Sequence, residues 1–347
     1  MNKIEKLNLS TQYIMSNELA IYKQNKISAL QNVYNANISR TYSALIANVR
    51  RVQNARIPIY VKQTMLNNLV AQYNRDAAAL GDAFNKNKIA VQNYNPVLIK
   101  PAKRKKALLI GINYIGTPNE LFGCINDVTS IKERITKAGF SDIKVITDLT
   151  TKKPTRATIL EEFKLLLSTS KQDDLLFFCY SGHGSYTLDR NSDETDGRDE
   201  MIVSCDLQGI VDDELKALIQ THLKPGATLF AMFDSCFSGS VLDLKYQYLD
   251  SLNYDNYTEN EKQLETQGNV FMISGCTDNQ TSADAFINNR ASGAMTWSLL
   301  EAAKEKTGCT WRELIKSMRD KLKTSEFEQI PQFSSGTFVN IDTPIFI

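Results

Sequence analysis

The sequence predicts an α/β protein with a mostly parallel central sheet flanked by helices, carrying a helical extension at its N-terminus. Three observations lead there. Residues 228–240 read TLFAMFDSCFSGS and residues 174–184 read DLLFFCYSGHG. Each opens on a continuous apolar run of strand length, the composition of a strand buried on both faces, and ends abruptly in small polar residues. Such runs alternate with amphipathic helical stretches, the pattern of a parallel sheet covered on both sides. Residues 1–98, in contrast, hold one glycine (Gly81) and two prolines (Pro58 and Pro96).

A chain of 347 residues with 42% hydrophobic composition is long enough for two domains, or for one large domain and an extension. The net charge of +1 hides an asymmetry. Residues 1–100 carry 13 Lys/Arg against 4 Asp/Glu, and the remainder carries 27 against 35. A basic extension on an acidic body is expected to dock onto that body rather than to bind nucleic acid. The six cysteines are scattered, with no CxxC pair, which speaks against a zinc site or a thioredoxin-like motif. No apolar leader or membrane span is apparent. A reducing, cytoplasmic setting is the expectation, and it suits an unpaired nucleophilic thiol.

Taken in order, residues 1–98 form the extension. Leu45, Ile46, Val49 and Val52 recur at helical spacing, as do Met65, Leu66, Leu69 and Val70, and Pro58 breaks the run into two or more helices. Residues 99–106 close a Pro- and Lys-punctuated linker, and residues 107–347 are the second domain. Residues 106–114 (KALLIGINY) form its first strand. The following Gly123-Cys124-Ile125-Asn126-Asp127 opens a helix, with Asn126 or Asp127 expected as the cap. Residues 143–147 are a strand, and residues 155–168 a helix capped near Thr155. The strand ending at His183 comes next. Residues 246–267 are rich in Tyr, Asn and Glu, have no apolar periodicity and are expected to be structureless. A strand at residues 269–275, two helices at 293–304 and 310–323, and a short strand at 332–335 complete the domain.

The chemistry gathers at two strand ends. In open parallel sheets ligands bind beyond the C-terminal lip of the strands. Cys236 and His183 both stand there. The chain has two histidines, and His222 lies on an amphipathic run that reads as a helix end. His183 is flanked by glycines, which let a substrate backbone approach. A thiol activated by a neighbouring histidine is a nucleophile for acyl transfer. Backbone N–H groups of Gly184 and Cys236, at tight strand-end turns, are expected to serve the oxyanion. A phosphatase of Cys-x5-Arg type is excluded, because position 242 is Leu242.

YSGHG at residues 180–184, followed by DSCFSG at residues 234–239, resembles the metacaspases, relatives of the caspases. Caspases likewise place the histidine about 50 residues before the cysteine. The resemblance spans residues 105–338 and excludes the first hundred. Phe237 departs from it, standing where many relatives have histidine, which bears on local packing rather than on the dyad. The resemblance implies a caspase-like sandwich and a cysteine endopeptidase with His183 and Cys236 as its dyad. It implies a pocket for a basic P1 side chain lined by Asp127 and Asp234, with Cys124 and Ser181 beside them, so that cleavage follows Arg or Lys. It also implies a calcium site at Asp199, Asp212 and Asp213; hard carboxylate oxygens suit Ca²⁺, although Asp212-Asp213 also read as a helix cap. The acidic run 189–200 is not an EF-hand, because the position that needs glycine holds Glu194. Self-cleavage is expected at Lys245 or Lys262, and a monomer acting on protein or peptide substrates is the expected form. The competing reading is a catalytically silent scaffold whose helical arm binds a partner.

Overall fold

The computed structural model describes residues 3–93, 102–188, 198–236, 241–248, 257–260, 262–275, 284–287, 290–305, 308–339, 341–342 and 345. It divides into two compact units, Met1–Val97 and Leu98–Ile347.

The first unit is a helical hairpin of α1 (Lys3–Asn54) and α2 (Ile59–Asn93). The break falls just before Pro58, whose carbonyl accepts the Val61 and Lys62 amides of the new helix. Proline fits there because the first turn of a helix has no use for its missing N–H. Contacts run in opposite sequence directions, as an antiparallel pair requires. Lys23 donates to the Gln92 carbonyl at 2.7 Å, Tyr34 stacks on Phe84 at 5.0 Å, and Tyr42 meets Tyr73 edge-on at 6.0 Å.

The second unit is built on an α/β frame. Its elements are β1 (Lys105–Gly111), α3 (Cys124–Lys137), β2 (Asp142–Thr147), α4 (Arg156–Ser168), β3 (Leu175–Ser181), β4 (Gly184–Leu188), β5 (Arg198–Val203), β6 (Gly209–Val211), α5 (Asp212–His222) and β7 (Thr228–Asp234). Then follow β8 (Tyr246–Gln247), β9 (Thr258–Glu259), β10 (Asn269–Ser274), β11 (Asp284–Ile287), β12 (Arg290–Gly293), α6 (Ala294–Glu305), α7 (Trp311–Thr324) and β13 (Gln332–Ser335). Eight strands form the central sheet in the order β2-β1-β3-β7-β10-β13-β8-β9. β2, β1, β3, β7 and β10 are parallel, and β13, β8 and β9 continue the sheet antiparallel. This is the mostly parallel sheet that the alternating runs predict.

Strand alternation sorts the core into two layers. Leu176, Phe178 and Tyr180 of β3 join Leu229, Ala231 and Phe233 of β7 on the face covered by Ile159 and Phe163 of α4 and Leu215 and Ile219 of α5. Phe177, Cys179, Phe230 and Met232 point to the other face, covered by Val128 and Ile131 of α3, Met295 and Leu299 of α6, and Trp311 and Leu314 of α7. Both faces of β3 are fully buried, which is why its sequence is an unbroken apolar run. Truncating Phe178 to alanine would cost about 3–5 kcal/mol. The helix starts are chemically marked. The Thr155 side chain accepts the Thr158 amide, and Thr310 with Glu313 forms a reciprocal capping box.

Two sequence expectations are corrected. The cap of α3 is Gly123, not Asn126 or Asp127; Asp127 lies in the first turn and its side chain is buried. Residues 246–267 are not structureless where described: β8 pairs with β13 and with β9, and Tyr246 and Tyr248 are buried in the second core layer. A tyrosine-rich strand of two residues is too short for alternation to show. Phe237, residues 189–197 of the acidic run and residues 276–283 lie outside the described residues.

Candidate active site

β3 and β7 are adjacent and parallel, and Ser181 pairs with Asp234 at their last register position. His183 and Cys236 each follow two residues later, so both emerge at one lip of the sheet. The Gly182 amide donates to the Asp234 carbonyl at 3.3 Å and ties the two turns together. Gly184 completes the approach: a Cβ built there would lie 1.9 Å from the Cys236 carbonyl oxygen. No residue but glycine fits. Val203 N–H donates to the His183 carbonyl, which makes Gly184–Ile202 a non-hydrogen-bonded pair of the β4–β5 ladder. The Gly184 amide is therefore not consumed by strand pairing and stays beside the Cys236 backbone. Cys236 is partly exposed and in no disulfide.

The His183 ring is held on one side by the Asn119 carbonyl, 2.7 Å from Nε2. A carbonyl only accepts, so Nε2 carries the ring hydrogen and Nδ1 keeps the basic lone pair. This orienting group is invisible in the sequence, because a backbone carbonyl has no residue-type signature. Tyr114 lies against the imidazole with ring centroids 4.6 Å apart.

On the face of the sheet covered by α3, Asp127 and Asp234 converge. Asp127 accepts from Ser181 Oγ at 2.8 Å, Ser292 Oγ at 2.6 Å and the Gly293 amide at 3.0 Å. Asp234 accepts from the amide and hydroxyl of Thr296 at 2.8 and 2.7 Å. A Cβ on Gly293 would lie 2.1 Å from Asp234 Oδ2 and 2.9 Å from Asp127 Oδ2, so the glycine threads between two carboxylates. Both anions thus sit at the N-terminal end of α6, where amides and the helix dipole favour them. The opposing effects are larger. Burial first, then the neighbouring Asp234 charge, push the Asp127 carboxyl up to about 7. Cys124, buried, opens the helix that carries Asp127. The partners Ser292, Gly293 and Thr296 follow a segment without a sequence motif and were not foreseen.

A second carboxylate group forms where β5 meets α5. Asp199, Asp212 and Asp213 each offer an oxygen, all within 4.8 Å of one another. Asp212 accepts the amides of Glu200 and Asp213, both at 2.7 Å. The helix cap itself is Val211, and neither aspartate makes a cap bond from that position. Burial first, then Asp243, raise the Asp212 carboxyl to about 8. Asp243 is a further acidic neighbour that the motif reading missed; Lys216 Nζ lies 3.4 Å from it and 3.9 Å from Asp213. Carboxylate oxygens without sulfur or imidazole, two of the three aspartates buried and Asp213 partly exposed, fit a hard divalent cation such as Ca²⁺.

A thiol and an oriented imidazole at one sheet lip, above a pair of buried carboxylates, define a cysteine hydrolase of the mostly parallel α/β type. A family model, the metacaspase peptidase C14 domain, matches residues 105–245. Metacaspase-1 of Meyerozyma guilliermondii is 34% identical over 286 residues, 67% of this chain and 70% of that protein. Metacaspase-1A of Aspergillus terreus is 36% identical over 297 residues, 71% of this chain and 73% of that one. In fold, a crystal structure of a Geobacter sulfurreducens protein superposes with a TM-score of 0.52 at 24% identity, covering 69% of this chain and 97% of that one. The chain belongs to the metacaspases, cysteine peptidases of the C14 family. Among the described residues no helix is long and apolar enough to cross a membrane.

Proposed function

We propose that this metacaspase is a calcium-activated endopeptidase that cleaves after Arg or Lys, and that it processes itself. Cys236 is the nucleophile. His183 Nδ1 takes the thiol proton, directly or through bound substrate, and returns it to the leaving amine. The thiolate adds to the scissile carbonyl, the C–N bond breaks to leave an acyl-enzyme, and water hydrolyses the thioester. Amides of Gly184 and Cys236 stabilise the oxyanion. The observation that carries the specificity is the convergence of the buried Asp127 and Asp234 carboxylates on either side of Gly293. Two anions crowded in a buried site are relieved by a cationic side chain, and a guanidinium or ammonium gains charge-assisted hydrogen bonds there. Cys124 and Ser181 complete the wall of that pocket.

Asp199, Asp212 and Asp213 would hold the calcium. Bound Ca²⁺ would supply positive charge that neutralises them and orders the strand β5 next to His183. Self-processing is assigned to Lys245 or Lys262, which precede β8 and follow β9. The test of the reading is hydrolysis of fluorogenic peptides ending in Arg, Lys or Asp by wild type and Cys236→Ala, each with calcium and with chelator. Turnover of Arg and Lys peptides that requires Cys236 and calcium is the expected result. Turnover of Asp peptides, or turnover that survives chelation, overturns the corresponding part.

A further inference from the structure

We propose that Tyr114 and Tyr180 are positioning residues for His183, two buried phenols that bridge the histidine backbone to Val203 of β5 in both directions. The inference rests on the reading of His183 as the general base. His183 N–H donates to Tyr114 Oη at 2.9 Å, and Tyr114 O–H donates to the Val203 carbonyl at 2.6 Å. In the opposite direction, Val203 N–H donates to Tyr180 Oη at 3.2 Å, and Tyr180 O–H donates to the His183 carbonyl at 2.7 Å. The two oxygens are 3.0 Å apart. Val203 N–H is shared, since it also donates to the His183 carbonyl at 3.0 Å, and Tyr180 Oη lies 2.8 Å from the Val203 carbonyl as well. With Tyr114 O–H on the Val203 carbonyl, the one hydrogen of Tyr180 goes to the His183 carbonyl, so each carbonyl receives a phenol hydrogen.

Three further features mark the clamp as built. Tyr114 and Tyr180 are 1% and 0% exposed, so water does not compete for these bonds. Tyr114 adopts φ of +53°, a backbone conformation unfavourable for a bulky residue, and this turn aims its ring under the imidazole. Gly182 leaves the room: a Cβ there would lie 2.6 Å from Tyr180 Oη and 3.0 Å from Tyr114 Oη. The segment that follows β1 thereby grips His183 at three points: the Asn119 carbonyl on Nε2, the Tyr114 ring against the imidazole face, and the Tyr114 hydroxyl on the backbone amide. A shift of about 1 Å in a general base costs about a hundredfold in rate, so the phenols are expected to act on turnover rather than on substrate affinity.

The test compares full-length Tyr114→Phe, Tyr180→Phe, Tyr114→Leu and His183→Ala with wild type. Substrates are Arg and Lys peptides and labelled casein, the last independent of P1 preference. Active enzyme is counted by iodoacetamide labelling of Cys236, and folding is followed by circular dichroism. The expected result is a kcat per active site lowered about tenfold or more in both Phe variants with KM within about twofold. The pH–rate profile also moves, and Tyr114→Leu, which loses the ring contact too, falls below Tyr114→Phe. Phe variants within about twofold of wild type beside a dead His183→Ala overturn the clamp and leave the dyad standing. So does a loss that disappears once activity is divided by labelled sites, with the pH profile unchanged, since that is a folding defect. Wild-type turnover in His183→Ala overturns the dyad itself and the clamp with it. If Tyr114→Phe does not fold, Tyr180→Phe is judged by the same criteria.

Discussion

Ser181 and Asp234 stand opposite one another at the last register position of two adjacent parallel strands, and the histidine and the cysteine each follow two residues later. Equal offsets from a paired position bring the two reactive groups to one lip without a long loop to place them. The same pairing turns Ser181 and Asp234 to the face of the sheet that carries Asp127, so one register places the cysteine and the two carboxylates of the proposed pocket. Gly184 is the contact that admits no side chain. For Gly184→Ala we expect peptidase activity to fall at least about a hundredfold, because the methyl carbon would lie 1.9 Å from the Cys236 carbonyl oxygen and force the turns apart. The calcium binding proposed for Asp199, Asp212 and Asp213 is expected to persist. Wild-type kcat/KM in this variant would show that the two turns are not locked together.

Asp127 gives the proposed specificity a pH dependence. Its carboxyl is pushed up to about 7 by burial and by Asp234, against about 3.9 in the unfolded chain. Between those values the folded protein holds a proton that the unfolded chain releases. This group's contribution to stability is therefore present at low pH and is lost as pH rises from about 4 to about 7. Asp127→Asn cannot ionise, so its thermal midpoint relative to wild type should rise from pH 5 to pH 8. Binding of a basic P1 side chain needs the ionised form. Wild-type KM for Arg peptides should therefore fall as pH rises through about 7, and that limb should vanish in Asp127→Asn along with about a hundredfold in kcat/KM at pH 8. A pH-independent difference in midpoint, or an unchanged KM profile, would count against the assignment.

The carboxylate group at β5 and α5 predicts a ligand-dependent stability. A cation bound only by the folded state at 100 times its Kd adds about 2.7 kcal/mol, which is a midpoint shift of about 5–10 °C for a domain of this size. Calcium should give that shift and magnesium should not, since Mg²⁺ demands a tight octahedral shell that these oxygens do not impose. Asp212→Asn should abolish it, because Asp212 is the member fixed by two backbone amides. Equal shifts in wild type and variant would place calcium elsewhere.

Most of the frame is legible because burial on both faces writes itself as an unbroken apolar run. Leu175 to Tyr180 and Leu229 to Phe233 are the two strands that matter, and their polar ends mark the lip. The candidate histidine is legible because the chain has two histidines and one sits on a helix end. What is hidden depends on backbone atoms and on distant partners. Asn119 contributes a carbonyl, which any residue has. Asp127 resembles a helix cap because it lies at a helix start, yet its side chain turns inward to Ser181 and Ser292. β8 escapes because two residues cannot show a period, and Tyr246 is buried by partners distant in sequence, the rings of Tyr257 and Phe338.

The candidate self-cleavage lysines are separated by what the chain does around them. Lys245 precedes β8; its side chain is 19% exposed and lies 3.5 Å from Glu259 of the pairing strand. To be cut there, the segment would have to leave the sheet edge and expose Tyr246, whose burial stabilises that edge by about 2 kcal/mol. Lys262 is exposed in a turn, its amide held by the Asn260 side chain; Gln263 after it is buried, and Leu264 beyond is 80% exposed. Exposed turns open locally at little cost, and proteolysis follows the population of the open form. We therefore expect intact-mass analysis after incubation with calcium to show fragments ending at Lys262. Lys262→Ala should remain whole, Lys245→Ala should be cut as wild type is, and Cys236→Ala should show no fragments. Fragments ending at Lys245 would mean that the β8 edge opens more readily than its burial implies, and fragments from Cys236→Ala would mean that another protease makes the cut.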